Sequence, residues 1–103
     1  MTREMLPNRR RCETLSFWHS GVHYSVSAGY YPDGRVGEVF VEGGKMTSAA
    51  DISARESAIA ASIAIQHGAD FDTLRDACLR RPDGSPEGAL GAAMDAIAKV
   101  ANR

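Results

Sequence analysis

The sequence predicts an α+β domain in which a three-stranded antiparallel sheet is followed by three helices packed on one face of the sheet, in the order β-β-β-α-α-α. Two observations predict this fold class. Up to Gly44, apolar and polar residues alternate with the period of two that is typical of strands. Beyond Gly44, the chain carries helix-capping residues, and its apolar residues recur about one helical turn apart. The 103 residues suit a single domain.

The first half of the chain is predicted to contain three strands joined by two tight turns. The strands are expected at Thr14–His19, His23–Tyr31 and Val36–Glu42, and Gly21 separates the first two. The second turn, Tyr31–Gly34, contains a proline that presets φ and a glycine that accepts a left-handed conformation. In the middle strand, one face is predicted to carry Tyr24, Val26, Ala28 and Tyr30, and the other face His23, Ser25, Ser27 and Gly29.

A long helix is predicted to follow the sheet, from Ala49 to His67. Ser48 is a suitable N-cap, Asp51 lies three residues later as in a capping box, and Gly68 is a suitable terminator. The predicted apolar face of this helix consists of Ile52, Ile59, Ile63 and Gln66, widened by Ala58, Ala60, Ala61, Ala64 and Ile65.

Two further helices are predicted, one at Asp72–Arg80 and one that starts at Ser85. The segment Ser85-Pro86-Glu87 combines an N-cap, a proline in the first position and an acidic residue in the first turn. The inward residues are predicted to be Leu74, Ala77, Cys78 and Leu79 in the short helix, and the last helix runs through Leu90, Met94, Ile97 and Val100.

The last helix also has small residues that allow another backbone to come close. Gly91 and Ala92 lie between Leu90 and Met94. A three-stranded sheet has two edges, and natural sheets pair or block their edges. This helical surface is therefore predicted either to form a homodimer or to pack on the long helix within one monomer, and the pattern leaves both alternatives open.

Composition excludes several classes of function. The net charge of −1 provides no general attraction to nucleic acid or to an anionic membrane. No apolar run approaches the roughly 18 residues of a membrane span, and no apolar stretch follows the first basic residues as it would in a secretory signal. Cys12 and Cys78 lack CxxC spacing and suit a reducing compartment, so a cytoplasmic location is expected. A chain this small is not expected to enclose a cofactor.

The N-terminal residues 1–12 are predicted to form a flexible basic arm that precedes a domain at residues 13–103. The arm is rich in arginine and has little to bury. It is either a solvated tail or a segment that docks on a partner or an anion. The partner-binding candidates are Arg9, Arg10 and Arg11.

The segment between the third strand and the long helix is a second candidate for anion binding. Backbone N–H groups at the start of a helix attract anions. The phosphate-loop pattern is incomplete, since Met46 separates Lys45 from the hydroxyl residues and the earlier glycine is missing. The alternative is a glycine turn beside a capped helix. The anion- or nucleotide-binding candidates are Gly43, Gly44, Lys45, Thr47 and Ser48.

No catalytic or metal-binding constellation is predicted. His19 and His23 are four residues apart, but the spacing supplies no third ligand, and a zinc site needs three or four. Cys78 lies in a predicted amphipathic helix, which favours a core thiol over a nucleophile. The carboxylates are scattered without a pair suited to acid–base chemistry.

Three segments of the chain resemble the TSCPD domain of adenosylcobalamin-dependent ribonucleotide reductases. They are residues 37–45 (GEVFVEGGK), 65–68 (IQHG) and 71–74 (FDTL), and the resemblance extends over about residues 6 to 101. The family's cysteines fall on Ala93, near Ser20 and near Arg81, so the resemblance implies that a metal site built from them is lost here. The radical-generating barrel, active-site cysteines and cobalamin contacts of a reductase have no room in this chain, which implies no reductase activity.

The first hypothesis for the function is a non-catalytic binding or regulatory module that recognises a partner protein or a nucleotide-like anion. The alternative is an accessory component of ribonucleotide reduction, and hence of deoxynucleotide supply for DNA biosynthesis, that acts in trans on a reductase. An enzyme with a site that the sequence does not reveal is a third alternative.

We predict that the purified protein contains no stoichiometric zinc, because the positions of the family cysteines hold residues without thiols. Elemental analysis of untagged protein checks this prediction. One zinc ion per chain would contradict it.

Overall fold

The computed structural model describes residues 2–101, which form three strands followed by three helices. The elements are β1 (Cys12–His19), β2 (Val22–Tyr30), β3 (Val36–Gly43), α1 (Ala49–Gln66), α2 (Phe71–Ala77) and α3 (Ala89–Ala101). The strands form one antiparallel sheet in the order β1-β2-β3. The predicted fold class is therefore confirmed.

Two tight turns set the register of the sheet. Ser20 and Gly21, with φ values of 50° and 77°, form a two-residue turn that places His19 opposite Val22. The second turn lies at Tyr31–Gly34 as predicted, closed by the Gly34 N–H donating to the Tyr31 carbonyl at 2.9 Å. The register shifts at Gly29/Tyr30, just before this turn.

The core lies between one face of the sheet and the helices. The four alternate residues of β2 that were predicted to share a face are all buried there, and the residues between them face the other side. The core cluster comprises Tyr24, Val26, Ala28, Tyr30, Val36, Val39, Val41, Ala54, Ala58, Ala61, Ala93 and Ile97. Helices pack only on this face in the described part of the chain, and the opposite face leaves Trp18 and Phe40 exposed.

The predicted apolar face of α1 is wrong for three of its four isoleucines. Ile52, Ile59 and Ile63 remain 46%, 51% and 44% exposed, whereas the residues that contact the sheet are chiefly alanines such as Ala54 and Ala58. Small side chains allow α1 to lie close to β3, and a helix this close has no space for large side chains between it and the sheet. These three isoleucines therefore lie on the opposite side of the helix, whereas Ile65 is buried as predicted.

The starts of the two shorter helices also differ from the prediction. Asp70 caps α2, which begins at Phe71 rather than at Asp72. Pro86 does not start α3: it forms an isolated bridge with Arg80, and the helix begins at Ala89. The local helix-start signal at residues 85–87 is overridden because this segment pairs with residues 79–81 of the connection that follows α2.

Polar side chains of α1 bind the outer edge of β3. The Ser62 hydroxyl accepts a hydrogen bond from Val39 N–H at 2.9 Å and donates one to the Val39 carbonyl at 2.8 Å. Gln66 Nε2 donates to the Gly37 carbonyl at 3.0 Å. Asp51, Ser62 and Gln66 are 4%, 6% and 5% exposed, so these bonds are shielded from water. Only one edge of the sheet is therefore available for pairing, where the sequence suggested two.

The N-terminal segment lies against the fold. Glu4 N–H donates to the Gln66 carbonyl at 2.7 Å, and Arg3 Nε donates to Gln66 Oε1 at 2.6 Å. The absence of a side chain at Gly37 makes room for Leu6, which a Cβ at that position would approach to 2.6 Å. β1 begins at Cys12, within the segment assigned to the arm. The flexibility of residues 1–12 and the boundary at residue 13 stay predictions.

The surface of α3 proposed for self-association is only partly accessible. Met94 is 0% exposed and Gly91 is buried against Cys78, whereas Leu90 and Ala92 are half-buried. Gly91 and Met94 therefore pack within the monomer. Self-association of the chain stays a prediction, in which these two residues take no part.

Replacing Ser62 by alanine is expected to destabilise the fold by about 1–3 kcal/mol, because Val39 N–H and C=O would then be buried without partners. Ser57→Ala is a matched control, since its hydroxyl bonds only the Ala54 carbonyl within the same helix. Urea unfolding of both variants measures the difference. Equal stability of the two variants would contradict the role assigned to Ser62.

Candidate functional site

The loop predicted to bind an anion, residues 43–48, uses most of its backbone donors within the protein. The Asp51 carboxylate accepts from Gly43 N–H at 3.2 Å and from Thr47 N–H at 3.1 Å. Gly44 N–H donates to the His23 carbonyl and Ser48 N–H to the Lys45 carbonyl, both at 3.0 Å. An external anion would have to displace the buried carboxylate, which already occupies the place of an anion.

The cavity beside this loop also has the wrong charge for an anion. Its volume is about 300 Å³, and its lining includes Gly43, Gly44, Glu42, Asp51 and Arg55. The two carboxylates outnumber the arginine, which lies 3.8 Å from Glu42 and 3.9 Å from Asp51. The loop candidates remain predictions, but their geometry favours the interpretation as a glycine turn beside a capped helix.

The structure brings the three arm candidates, Arg9, Arg10 and Arg11, together around one cavity. We call this site the arginine cavity; its volume is about 260 Å³. It lies between the segment that leads into β1 and the turn that joins β2 to β3. The lining consists of Pro7, Arg9, Arg10, Arg11, Tyr30, Tyr31, Pro32 and Gly34.

The three arginines differ in how far the protein neutralises them. Arg10 Nε is 2.6 Å from Glu38 Oε2, and the Glu38 side chain is only 8% exposed. Arg11 stacks over the Tyr30 ring at 4.2 Å from its centroid. Within residues 2–101, neither Arg9 nor Arg11 forms an ion pair. The cavity therefore combines a fixed, neutralised arginine with two arginines that can bind an anion.

Two tyrosines form rigid walls of the arginine cavity. The Tyr30 hydroxyl donates to Glu13 Oε1 at 2.9 Å, and the Tyr31 hydroxyl donates to the Glu4 carbonyl at 2.6 Å. Burial, together with the bond to Glu13, raises the pKa of Tyr30 to about 12. Burial also raises the pKa of Tyr31. Both phenols stay protonated at neutral pH, so they provide aromatic surface rather than acid–base chemistry.

Sequence reasoning found the arginines of this cavity but missed its tyrosines. Tyr30 was assigned to the core face, and Tyr31 only to the turn. The ring of Tyr30 lies under Arg11 because the Tyr30 N–H donates to the Arg11 carbonyl at 3.0 Å, which extends the β1–β2 pairing beyond Cys12. Predicting the register of the β1–β2 hairpin would have placed Arg11 beside Tyr30.

Another cavity, of about 340 Å³, lies near the start of α2. Its lining contains three carboxylates, from Glu4, Asp70 and Asp72, and one arginine, Arg35. Arg35 is already paired with Glu4 at 2.9 Å and with Asp33 at 2.7 Å. This cavity is therefore a poorer anion site than the arginine cavity.

Asp95 has a strongly perturbed pKa, but its surroundings identify it as structural. Arg80 binds it with both terminal nitrogens, at 2.8 and 2.9 Å, and Arg75 Nε lies at 2.7 Å. The bonds from Arg80 and then from Arg75 hold the pKa of Asp95 at about 2. A carboxylate held ionised by two arginines does not act as an acid or base at neutral pH. It ties the α2–α3 connection to α3.

The remaining titratable groups form no reactive cluster. Burial raises the pKa of the Cys78 thiol, which suits a core thiol and not a nucleophile. His19 Nε2 lies 2.9 Å from the Glu87 carbonyl, and His23 stacks beside Trp18. Among residues 2–101, no three histidine, cysteine or acidic side chains lie close enough together to hold a metal ion.

None of the helices in the described residues is long and apolar enough to cross a membrane.

Comparison with known proteins connects the chain to a large enzyme. It is 35% identical over 75 residues to a protein of Bradyrhizobium diazoefficiens named vitamin B12-dependent ribonucleotide reductase. The match covers 73% of this chain but only 6% of the length of that protein. No family model matches the chain, and no solved structure matches significantly. This weak similarity supports a domain related to a small segment of that reductase.

Replacing Asp95 by asparagine is expected to lower stability at neutral pH, because Arg75 and Arg80 lose their counter-charge. The folded-state pKa of about 2 lies below the ordinary value of 3.8, so the stabilisation is complete above pH 3.8 and is lost as the pH falls towards 2. Thermal unfolding of the wild type and of Asp95→Asn should therefore differ at pH 7 and converge near pH 2.

The control for this comparison is Asp76→Asn, which changes an exposed carboxylate of α2 without an ion pair in the described residues. A stability difference for Asp95→Asn that stays constant from pH 7 to pH 2 would show that the ion pairs do not cause it.

Proposed function

We propose that this protein is a non-catalytic binding module that recognises a nucleotide-like anion at the arginine cavity. The proposal rests on one observation: three consecutive arginines and two hydrogen-bonded tyrosines line the same cavity. Arginine donates hydrogen bonds in the fork geometry that phosphate oxygens accept. This proposal therefore places the anion at the arm and not at the loop.

The composition of the cavity favours a phosphate attached to a planar group. Arg9 and Arg11 carry the charge for a phosphate, and the exposed side chain of Arg11, which lies over the buried Tyr30 ring, offers a guanidinium plane on which a base can stack. A volume of about 260 Å³ suits part of a nucleotide, not a large cofactor. The similarity to a protein named as a ribonucleotide reductase supports a nucleotide over other organic phosphates.

We also propose that the chain belongs to the TSCPD family. The segments GEVFVEGGK, IQHG and FDTL of that resemblance fall on β3, on the C-terminal end of α1 and on α2. The family is named for a Thr-Ser-Cys-Pro-Asp motif, whose cysteine falls on Ala93 and whose aspartate falls on Asp95, the residue that binds Arg75 and Arg80. The motif position of the cysteine thus has no thiol here, whereas the position of the aspartate holds a residue with a structural role.

A test of the proposed site uses calorimetric titration with pyrophosphate and with each of the four ribonucleoside diphosphates. The double variant Arg9→Ala/Arg11→Ala should bind at least roughly tenfold more weakly, since hydrogen bonds between charged groups contribute about 1.5–3 kcal/mol. The control Lys45→Ala alters the loop site and should bind like the wild type. Loss of binding in Lys45→Ala alone would move the site to the loop.

The same titration distinguishes the class of ligand. Tighter binding of nucleoside diphosphates than of pyrophosphate supports base stacking on Arg11. Equal affinities would reduce the proposal to phosphate recognition, and no binding of any of these anions would overturn it.

The similarity to a reductase segment favours a second candidate function, an accessory role in ribonucleotide reduction in trans. Such a module would contact the large enzyme and respond to nucleotide at the arginine cavity. Affinity capture of the vitamin B12-dependent reductase of the same cell by the tagged protein tests this role. Failure to capture the reductase would argue against the second candidate and would leave nucleotide binding by the isolated chain unaffected.

A further inference from the structure

β1 is the open edge of the sheet. The two-residue turn makes His19 and Val22 a hydrogen-bonded pair, and these pairs alternate along the hairpin. The bond from Tyr30 N–H to the Arg11 carbonyl continues the same alternation. The backbone N–H and C=O groups of Thr14, Ser16 and Trp18 therefore point away from β2.

The rest of the fold covers the β3 edge of the sheet and leaves the β1 edge uncovered. Side chains of α1 bind the outward backbone groups of Gly37, Val39 and Gly43 on β3. No hydrogen bond within residues 2–101 reaches the outward backbone groups of Thr14, Ser16 or Trp18 on β1. An uncovered edge of this kind accepts another strand.

An apolar groove accompanies this open edge. A cavity of about 450 Å³ lies between β1 and α3. Leu15 and Phe17 form one wall, and the other wall combines the small residues Ala92 and Ala96 with the charged residues Asp95 and Lys99 of α3. A strand added to β1 would place alternate side chains into this groove, where they leave water.

We propose that the added strand is β1 of a second copy, paired antiparallel about a twofold axis through Ser16. The outward backbone groups of the two strands can meet only if the axis passes through a residue and not between residues. In this register, Ser16 opposes Ser16, Thr14 opposes Trp18, Leu15 opposes Phe17, and Glu13 opposes His19.

Hydrophobicity selects this register. Leu15 and Phe17 lie on the groove side and form apolar cross-strand pairs. Glu13 lies opposite His19; Glu13 Oε1 already accepts from Tyr30, and the Nε2 N–H of His19 donates to the Glu87 carbonyl, so this pair does not contribute to the choice of register. An axis one residue earlier, through Leu15, would oppose Glu13 to Phe17 and His19 to Arg11.

The blocked edge of β3 makes this assembly a closed dimer. Each three-stranded sheet can join a partner only through β1, so two copies form one sheet of six strands that cannot grow further. The eight residues of β1 extend over roughly 26 Å. An interface built on one strand of this length buries less area than the standard of about 800 Å² per partner. The dimer should therefore dissociate on dilution.

Sedimentation equilibrium over a wide concentration range tests the dimer. The wild type should change from monomer to dimer with rising concentration. Ser16→Lys places two lysines opposite each other on the axis and should weaken dimerisation at least roughly tenfold. Ser53→Lys, which adds the same charge on the exposed side of α1, should behave like the wild type. A wild type that stays monomeric, or equal behaviour of the two lysine variants, overturns the proposal.

A cross-link tests the register. Opposed Cα atoms of a hydrogen-bonded antiparallel pair are about 5.5 Å apart, within the disulfide range of about 4.4–6.8 Å. In a Cys12→Ser background, Ser16→Cys should give a covalent dimer on mild oxidation, and Ser53→Cys should give none. No more cross-linking at position 16 than at position 53 would exclude an axis through Ser16.

Discussion

The hydrogen bonds between the polar side chains of α1 and the backbone edge of β3 are the constraint on which the rest of this fold depends. Asp51, Ser62 and Gln66 are buried, yet each has a backbone partner on β3 or in the loop that follows it. These polar side chains can be buried only because each one forms hydrogen bonds with backbone groups that would otherwise also lack a partner. They fix the distance and the register of the helix on the sheet, and the alanines between them allow that distance to be short.

The position of α1 in turn places the N-terminal segment. At the end of the helix, the Gln66 carbonyl accepts a hydrogen bond from the Glu4 N–H, and the Gln66 side chain accepts one from Arg3. The Glu4 carbonyl in turn accepts a hydrogen bond from the Tyr31 hydroxyl. These contacts draw the chain across the turn between β2 and β3 before it enters β1. The arginine cavity is the consequence, because Arg9, Arg10 and Arg11 follow directly in the same segment. A stabilising contact at one end of the helix thus creates the site proposed for the ligand.

The candidate site was partly visible in the sequence. The arginine run was evident because charge density is a local property, but its tyrosine walls depend on a hairpin register that joins Arg11 to Tyr30 across the sheet. The loop at residues 43–48 was also predicted to bind an anion from local features, namely its glycines and its position before a helix. Asp51 was recognised as a capping partner of Ser48, yet its carboxylate also accepts the amides of Gly43 and Thr47. Local pattern alone does not show which acceptor a backbone donor will use.

The sequence by itself determined the order of the six elements, the turn at Tyr31–Gly34 and the buried face of β2, since alternation, turn residues and caps act over a few neighbouring residues. Only the tertiary structure decided that Ile52, Ile59 and Ile63 of α1 face outward, that Pro86 pairs with Arg80 instead of starting a helix, and that one sheet edge is capped and the other open. Each of these outcomes depends on contacts between residues distant in sequence. Such contacts override local preference when the space between packed elements, or the need to satisfy a buried polar group, outweighs it.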